Sequence, residues 1–371
     1  MDHRTNYWAG KRVCVTGGTG FLGFHLVQKL RERDAEVRVL GLPPRGWHPL
    51  DDMPDVHTHY CDLRNAAFAR RALQGVEVVF HTAGSVAIWG EQSKTLVDDH
   101  VQLTKVVLDQ ADQEATIVHT SSIVTTGGSP NPEALTEETP FTLKDFPVPY
   151  VYAKRAAEEL ALSRANRQRV VVVNPSYLIG PEDYLGSVMG RMCQRFWKGR
   201  LFFVPGSGLN YVDVRDAALG HLLAAERGQS GRRYILGGEN RSFSTFLRIL
   251  ATEAGMAPRG LIPIPGWLMK ICAWYTELRS QRTGREPYPS KQQTSMSGRW
   301  WYVNSTRAQE ELGFTARPLV ESIRDAYRWY SEQKRIPVRG FNAWWMRPKA
   351  ARTFHGASRT LTPYRATSTR V

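Results

Sequence analysis

Tyr150 and Lys154 lie four residues apart, so a helix would place both side chains on one face. A tyrosine phenol has a pKa of about 10, too high for a base at neutral pH. A lysine ammonium beside it would stabilise the phenolate and lower that pKa, so the pair could transfer a proton. Tyr152 is two residues from Lys154, and its side chain would face away. The spacing predicts that Tyr150 and Lys154 form an acid/base pair.

Ser121 and Ser122 directly follow a predicted buried strand, residues 115–120. In an open parallel sheet, ligands bind beyond the carboxyl ends of the strands. A serine hydroxyl at that edge can donate a hydrogen bond to a carbonyl oxygen as negative charge develops on it. One of the two serines would point into the site and the other away. The spacing does not decide between them.

Gly17, Gly20 and Gly23 stand between a predicted strand, residues 12–16, and a predicted helix, residues 21–33. Strand, glycine turn and helix in this order are typical of a site for a dinucleotide diphosphate. Backbone amides at the start of the helix would hold the diphosphate, where the helix dipole favours negative charge. The segment therefore predicts a nicotinamide dinucleotide site. A purely structural turn is the alternative.

The choice between NAD and NADP depends on the end of the second predicted strand, residues 36–40. NAD sites usually carry an acidic residue there, which holds the ribose hydroxyls. This chain continues with Gly41-Leu-Pro-Pro-Arg45 and has no acid in that stretch. Arg45 could bind a 2′-phosphate, which favours NADP, or it could lie exposed in a loop.

The segments that must position these groups alternate in type. Strands are predicted at residues 12–16, 36–40, 56–61, 76–81, 115–120 and 169–174, and helices at 21–33, 66–73, 94–111 and 150–164. This alternation predicts an α/β fold with a doubly wound parallel sheet. We expect a dinucleotide-binding domain at residues 8–180, to which segments near 211–237 return. A mainly substrate-binding lobe at 181–335 and a basic, irregular extension at 336–371 would follow.

Composition limits the class of protein. With 42% hydrophobic and 23% charged residues among 371, the chain can bury a core. Its four cysteines show no paired spacing, so we expect no disulfide framework, no metal site and a reducing, cytoplasmic compartment. No secretory leader and no membrane-spanning segment is visible.

Charge and hydropathy leave two candidates for contact with larger partners. Nine basic residues and no acidic one follow Glu332, and they carry much of the net charge of +14. This extension could contact anionic lipid, although a solvated tail is the simpler interpretation and nucleic acid is disfavoured. The segment from Leu261 to Leu278 contains Lys270, Glu277 and two prolines. It predicts a partly buried helix, with peripheral membrane contact as the alternative. A homodimer is compatible with the sequence.

Together these segments resemble the extended short-chain dehydrogenase/reductases, from about Lys11 to Gln333. The resemblance rests on the glycine turn, the serine after the fifth strand, the Tyr150-x-x-x-Lys154 pair and several shorter motifs. Within that family, the NAD-dependent epimerase/dehydratase superfamily, the chain looks most like the branch of dihydroflavonol reductases, 3β-hydroxysteroid dehydrogenases and hopanoid-associated sugar epimerases. The resemblance implies a Rossmann fold.

The same resemblance implies roles for individual residues. It assigns Ser122 as the active serine, Asp62 to the adenine, and Pro175 and Leu178 to the neighbourhood of the nicotinamide. The remaining residues expected to contact the cofactor are Phe21, Leu22, Leu63, Thr82 and Ala83. Tyr150 and Lys154 are expected to contact it as well, since the lysine can also bond to the nicotinamide ribose.

The sequence departs from the family pattern at two places. His100 stands where relatives usually carry an asparagine, and it could relay protons or simply fill the space. Leu209-Asn210-Tyr211 replaces an Arg-Asp-Phe segment that is frequent in nucleotide-sugar epimerases. Four aromatic residues could line a pocket for an apolar or ring-shaped substrate, or could belong to the core: Trp89, Tyr177, Tyr184 and Phe203.

These features predict an oxidoreductase that passes hydride between NAD(P) and a secondary alcohol or ketone. A sugar epimerase or dehydratase that retains its cofactor is one alternative. A non-catalytic protein that senses NAD(P) is another, although it would have no need for an acid/base tyrosine.

Overall fold

A computed structural model describes residues 6–44, 46–86, 89–201, 203–256 and 262–336. Its strands within these residues are β1 (Arg12–Thr16), β2 (Glu36–Gly41), β3 (Val56–Tyr60), β4 (Val78–His81), β5 (Thr116–Thr120), β6 (Ala134–Leu135), β7 (Val170–Pro175), β8 (Tyr177–Ile179), β9 (Phe203–Val204), β10 (Gly208–Asp213), β11 (Arg233–Leu236), β12 (Glu239–Ser242), β13 (Ile262–Pro263) and β14 (Trp300–Val303). Its α-helices there are α1 (Phe21–Arg31), α2 (Ala66–Leu73), α3 (Leu96–Gln110), α4 (Pro149–Ser163), α5 (Val188–Trp197), α6 (Val214–Arg227), α7 (Phe243–Glu253), α8 (Gly266–Thr283), α9 (Lys291–Met296) and α10 (Leu319–Glu332).

Seven of the strands form one parallel sheet in the order β11-β7-β5-β4-β1-β2-β3. Because the strands are parallel, the segments that follow them all emerge at the same edge, which we call the carboxyl edge. The strand order reverses between β1 and β4, and in such sheets ligands bind at that point. The predicted doubly wound parallel sheet is therefore confirmed.

Helices cover both faces of this sheet, so its central strands β4, β5 and β7 are buried along their whole length, whereas the edge strand β3 is largely exposed. Side chains alternate between the two faces of a strand. Val13 and Val15 of β1 pack into a core shared with α1 and α6, whereas Cys14 packs into a core shared with α2, α3 and α4. The unbroken run of valines in β7 has the same cause. Val171 and Val173 enter the first core, and Val170 and Val172 enter the second.

The smaller lobe contains a mixed sheet in the order β12-β10-β14-β6, with β8 also paired to β10. Its core lies between α5, α7 and α10, where Tyr211 stacks on Phe246 with ring centroids 4.1 Å apart. β6 joins this sheet although it comes from the segment 8–180, and β11 pairs with β7 of the large sheet.

The segment from Leu261 to Leu278 contains most of α8, in which side chains such as those of Met269 and Cys272 are half-buried. The helix α8 begins only at Gly266, after the second proline, and Ala273 is its one buried residue in the part of the chain described. None of the helices described is long and apolar enough to cross a membrane. The basic extension from residue 337 onward lies outside the described residues.

Candidate active site

The turn between β1 and α1 has a shape that side chains would prevent. Gly17 has a φ of +72°, a left-handed conformation that favours glycine. A Cβ atom on Gly23 would lie 2.3 Å from the Gly17 carbonyl oxygen and 2.8 Å from the Gly18 Cα, both backbone atoms. The absence of a side chain at position 23 thus lets α1 start directly against the turn.

The start of α1 has properties that fit a bound diphosphate. Gly20 occupies the N-cap position, no side chain caps the helix, and its first turn contains no acidic residue. The first amides of a helix have no partner within the helix, and the helix dipole favours an anion beside them. Leu22 is buried and Phe21 half-buried behind this turn. The cradle and its electrostatics therefore fit the diphosphate of a dinucleotide.

Residues from other strands come to the same edge. The Thr82 hydroxyl donates to the Thr16 carbonyl oxygen at 2.6 Å, and the Ala83 amide donates to the Thr16 hydroxyl at 3.3 Å. These bonds tie the end of β4 to the end of β1 at the point where the strand order reverses. Pro175 is the last residue of β7. Leu178 of β8 is half-buried, and Leu178 and Phe21 line the same small cavity.

Asp62 and Leu63 follow β3, with Leu63 buried and Asp62 exposed. Arg64 donates to the Asp62 carboxylate at 2.6 Å and also reaches Asp99 at 2.9 Å. Hydrogen bonds from Arg64 lower the pKa of the Asp62 carboxyl. Asp62 is therefore already paired, and an adenine bond would have to share it. Arg45 lies outside the described residues.

The predicted catalytic residues lie around the end of β5. Ser122 follows that strand, and its hydroxyl accepts a bond from the Val124 amide at 3.4 Å. Tyr150 is in the first turn of α4, and Lys154 is one turn later, as expected for positions four apart. The Lys154 ammonium donates to the Thr120 carbonyl oxygen at 3.0 Å, which ties α4 to the carboxyl edge.

The protonation of this group differs from the sequence-based expectation. Burial raises the pKa of Tyr150 to about 12, and contact with the Ser122 side chain opposes that shift. Burial also lowers the pKa of Lys154 to about 8, with Glu158 opposing. Lysine was expected to lower the pKa of the tyrosine, but here its ammonium bonds to the Thr120 carbonyl instead. Tyr150 is consequently a neutral phenol, the form that donates a proton.

The structure distinguishes the two serines. Ser121 is buried, and its hydroxyl donates to Glu158 at 2.5 Å, whereas Ser122 is half-buried. Tyr152 faces away from Lys154, since its hydroxyl donates to the Leu143 carbonyl oxygen at 3.1 Å. These contacts engage the Ser121 and Tyr152 hydroxyls within the protein, so of these two serines and two tyrosines Ser122 and Tyr150 are the pair left to meet a substrate at the edge.

Glu158 is a residue that the sequence analysis missed. It is 1% exposed, and one carboxylate oxygen accepts bonds from Ser121, Thr125 and Asn174 while Arg233 donates to the other at 3.0 Å. This network fixes the segment that carries Ser122. Its position in the sequence could have revealed it, because Glu158 is an acidic residue four positions after Lys154 on the same helix face.

His100 lies beside the catalytic group. Its Nε2 donates to the Ser85 carbonyl oxygen at 2.9 Å, and its ring is edge-on to that of Tyr150 with centroids 6.3 Å apart. Burial lowers the pKa of His100 to about 4, so the ring is neutral. A Cβ atom on Gly84 would lie 2.5 Å from this ring, so the histidine fills the space beside Gly84 and leaves no room there for a side chain.

The four aromatic residues do not form a single group. Tyr177 is half-buried and packs, as Tyr150 does, against the cluster that contains Val151 and Trp301. Tyr184 instead packs edge-on between Phe24 and Trp329, with ring centroids 5.5 and 5.3 Å away. Trp89 is half-buried in the segment before α3. The side chain of Phe203 lies outside what is described.

No group of three or more His, Cys, Asp or Glu side chains could hold a metal ion, among the residues described. All four cysteines are free.

Fold and edge residues together define the extended short-chain dehydrogenase/reductase class. The model of the NAD dependent epimerase/dehydratase family matches residues 13–237, and the chain belongs to this family. It is therefore an NAD(P)-dependent enzyme of the oxidoreductase and epimerase type, as the sequence predicted.

Individual relatives agree over nearly the whole chain. The chain is 33% identical over 336 residues to a putative dihydroflavonol 4-reductase of Synechocystis sp., covering 88% of this chain and 96% of the relative. It is 32% identical to sterol demethylase protein B of Methylococcus capsulatus, covering 87% and 99%. The solved structure of gox2253 is similar with a TM-score of 0.76 at 28% identity, covering 88% and 100%.

Proposed function

We propose that this enzyme reduces a ketone, or oxidises the matching secondary alcohol, on an apolar, ring-bearing substrate. The observation that carries this proposal is the placement of Ser122 and Tyr150 as available hydroxyls at the same sheet edge as the glycine turn. Two relatives support a substrate of this shape, since one is named as a putative dihydroflavonol 4-reductase and the other as a sterol demethylase protein.

Each residue has a distinct task in this reaction. Ser122 donates a hydrogen bond to the substrate oxygen and stabilises the charge that develops there. Tyr150, a neutral phenol, gives its proton to that oxygen in the direction of reduction and takes it back in the direction of oxidation. Lys154 holds α4 against β5 through its hydrogen bond to the Thr120 carbonyl oxygen. A bound nicotinamide supplies or accepts the hydride.

The cofactor preference is part of the proposal. Positions 41–44, after β2, contain no acidic residue that could hold ribose hydroxyls or repel a 2′-phosphate. We therefore expect NADP to be preferred. Michaelis constants for NADPH and NADH with one ketone substrate test this, and a lower constant for NADH would reject it.

Replacement of one hydroxyl tests the mechanism. Tyr150→Phe should lower kcat by about 10²–10⁴-fold, the range typical for a lost general acid. Cofactor affinity, measured by fluorescence titration, should stay within about threefold because the phenol does not contact the diphosphate cradle. Tyr152→Phe is the matched control, since it removes a hydroxyl two residues away that bonds only to a loop, and it should keep most of the activity. Turnover that survives in Tyr150→Phe would reject the mechanism.

The same assay separates the reductase from an epimerase. A reductase consumes NADPH in proportion to product, whereas an epimerase keeps its cofactor bound and shows no net redox change. Product formed without loss of NADPH absorbance would reject the proposed reaction while leaving the catalytic residues in place.

A further inference from the structure

The helix α8 exposes large apolar side chains along one side. Trp267 is 64% exposed, Trp274 and Tyr275 are each 59% exposed, Ile271 is 53% exposed and Leu278 is 37% exposed. Single exposed apolar residues are ordinary, but a contiguous group of this size marks an interaction site. We call these five residues the α8 face.

Helical geometry shows that the α8 face is continuous. At 3.6 residues per turn, the five positions fall within about 100° of the helix circumference, along a helix about 27 Å long. The opposite side holds α8 to the protein, where the Thr276 hydroxyl donates to the Pro289 carbonyl oxygen at 2.6 Å. At one flank of the face, beside Lys270, Glu277 pairs with Lys291 at 3.0 Å. The α8 face therefore points away from the rest of the lobe.

Basic residues surround this face. On the same helical projection, Lys270 and Arg279 flank the apolar arc on its two sides, and Arg282 lies at its C-terminal end. All three side chains belong to exposed residues, and none forms an ion pair with another of the residues described. The one acidic residue of α8, Glu277, is paired with Lys291. The face is thus apolar at its centre and cationic at its border.

We propose that the α8 face docks on an anionic lipid bilayer. Tryptophan and tyrosine favour the boundary between water and lipid because their rings are apolar with one polar atom. A helix that lies in this boundary gains from apolar burial and from the attraction of its basic residues to anionic headgroups. The helix rests on the surface and does not span it, consistent with the length and polarity of α8.

Charge argues against a second copy of the chain as the occupant. In a symmetric dimer the same patch contacts itself. The basic border formed by Lys270, Arg279 and Arg282 would then lie against the same basic border of the other copy, and like charges across an interface oppose association. An anionic surface, by contrast, complements all three. The inference concerns a surface outside the catalytic residues, so it stands or falls independently of the proposed reaction.

Sedimentation of the full-length protein with vesicles tests the proposal. Vesicles of phosphatidylcholine with phosphatidylglycerol should bind the protein, and vesicles of phosphatidylcholine alone should bind at least about tenfold more weakly. The double variant Ile271→Ser/Trp274→Ser should weaken binding to the mixed vesicles by about tenfold or more, because two apolar side chains no longer enter the lipid. Tyr7→Ser, which removes an exposed ring elsewhere, is the control and should bind like the wild type.

Charge is tested separately, because the basic extension could bind lipid without α8. Arg279→Glu/Arg282→Glu should weaken binding to the anionic vesicles, whereas Arg70→Glu/Arg71→Glu on α2 changes the net charge equally and should have less effect. Equal losses in the two charge variants, or unchanged binding in the Ile271/Trp274 variant, would overturn the proposal. Sedimentation equilibrium supplies the remaining arm: a dimer that dissociates in the Ile271/Trp274 variant, without vesicle binding by the wild type, would assign the face to a second copy.

Discussion

The end of β5 and the helix α8 place opposite kinds of group in unusual surroundings. Around β5, polar and charged side chains such as Glu158 and Lys154 are buried, and each is held by hydrogen bonds from other elements. Along α8, apolar side chains such as Trp267 and Trp274 are exposed. Buried polar groups are stable only when bonded, so the first region must keep its geometry. Exposed apolar side chains have few packing contacts to lose and would gain by burial, so the second region is suited to contact with a partner.

This contrast predicts that small changes have large effects at the carboxyl edge and small ones at α8. Gly23→Ala would put a methyl group against the Gly17 carbonyl oxygen, so the start of α1 must move off the turn. We expect NADPH affinity to fall by about 10- to 100-fold, in line with the strain of overpacking, by fluorescence titration.

Gly266→Ala supplies the matched comparison. Gly266 is the first residue of α8. A Cβ atom there would have no described atom within 4 Å beyond its own chain neighbours and the backbone of its own helix. The same substitution should leave cofactor affinity unchanged and keep the melting temperature the same or slightly higher. Equal losses of NADPH affinity in the two variants would remove the contrast.

The sequence predicts the buried strands and the catalytic pair of the sheet better than it predicts which side of α8 is exposed, and the reason is physical. Branched residues such as those of β7 face a helix-covered core on both sides, so their apolar pattern alone identifies buried strands. The positions of Tyr150 and Lys154 follow from helical spacing. In α8, Met269 on the inner side is as apolar as Ile271 on the outer side, so no pattern shows which side is covered.

Within the site, the limits have a similar origin. Ser121 and Ser122 are chemically identical, and only the contact of Ser121 with Glu158 separates their roles. Glu158 itself looks like an ordinary charged helix residue until the fold brings Arg233 from a distant strand to it. Contacts between residues far apart in the chain are what spacing rules do not contain.

Glu158→Gln tests how far buried hydrogen bonds support catalysis. The amide keeps the size of the side chain but removes the charge that Arg233 contacts and one acceptor for the Ser121, Thr125 and Asn174 donors. We expect kcat to fall by about tenfold, because the segment carrying Ser122 loosens, with KM for the cofactor changed by less than about threefold.

The neighbouring residue provides the control for this variant. Glu159 is exposed and pairs only with Arg155 on the helix surface, so Glu159→Gln should change kcat little. A fall in thermal stability of Glu158→Gln with kcat unchanged would show that the network stabilises the fold but does not position Ser122.

The smallest expected effect concerns buried histidines near Lys154. Both ring nitrogens of His119 are buried without a hydrogen-bond partner among the residues described. His221, by contrast, is bonded to Thr120 at 3.0 Å and to the Ala217 carbonyl oxygen at 2.7 Å. Burial lowers the pKa of His221 to about 4. Burial also lowers the pKa of His119 well below its usual value, and His81, Lys154 and His100 lower it further by repulsion. Both rings are therefore neutral in the folded protein.

The sign of the pH dependence follows from these shifts. Unfolded histidines have a pKa of about 6.5, so the unfolded chain binds protons below that pH while the folded chain does not, and stability falls as pH falls towards about 4. His119→Leu removes one such group without breaking a hydrogen bond. Its loss in melting temperature between about pH 7.5 and pH 5 should therefore be smaller than that of the wild type, by a few degrees at most.

His221→Leu separates this effect from simple loss of a ring. It also removes a titrating group, but it leaves the Thr120 hydroxyl without its partner and takes a second bond from the Ala217 carbonyl oxygen. Its melting temperature should therefore be lower than that of the wild type at both pH values, because an unsatisfied buried polar group costs about 1–3 kcal/mol. If His119→Leu were equally destabilising at neutral pH, an unbonded imidazole would matter to packing as much as a bonded one. The distinction between bonded and unbonded buried groups would then fail at the carboxyl edge.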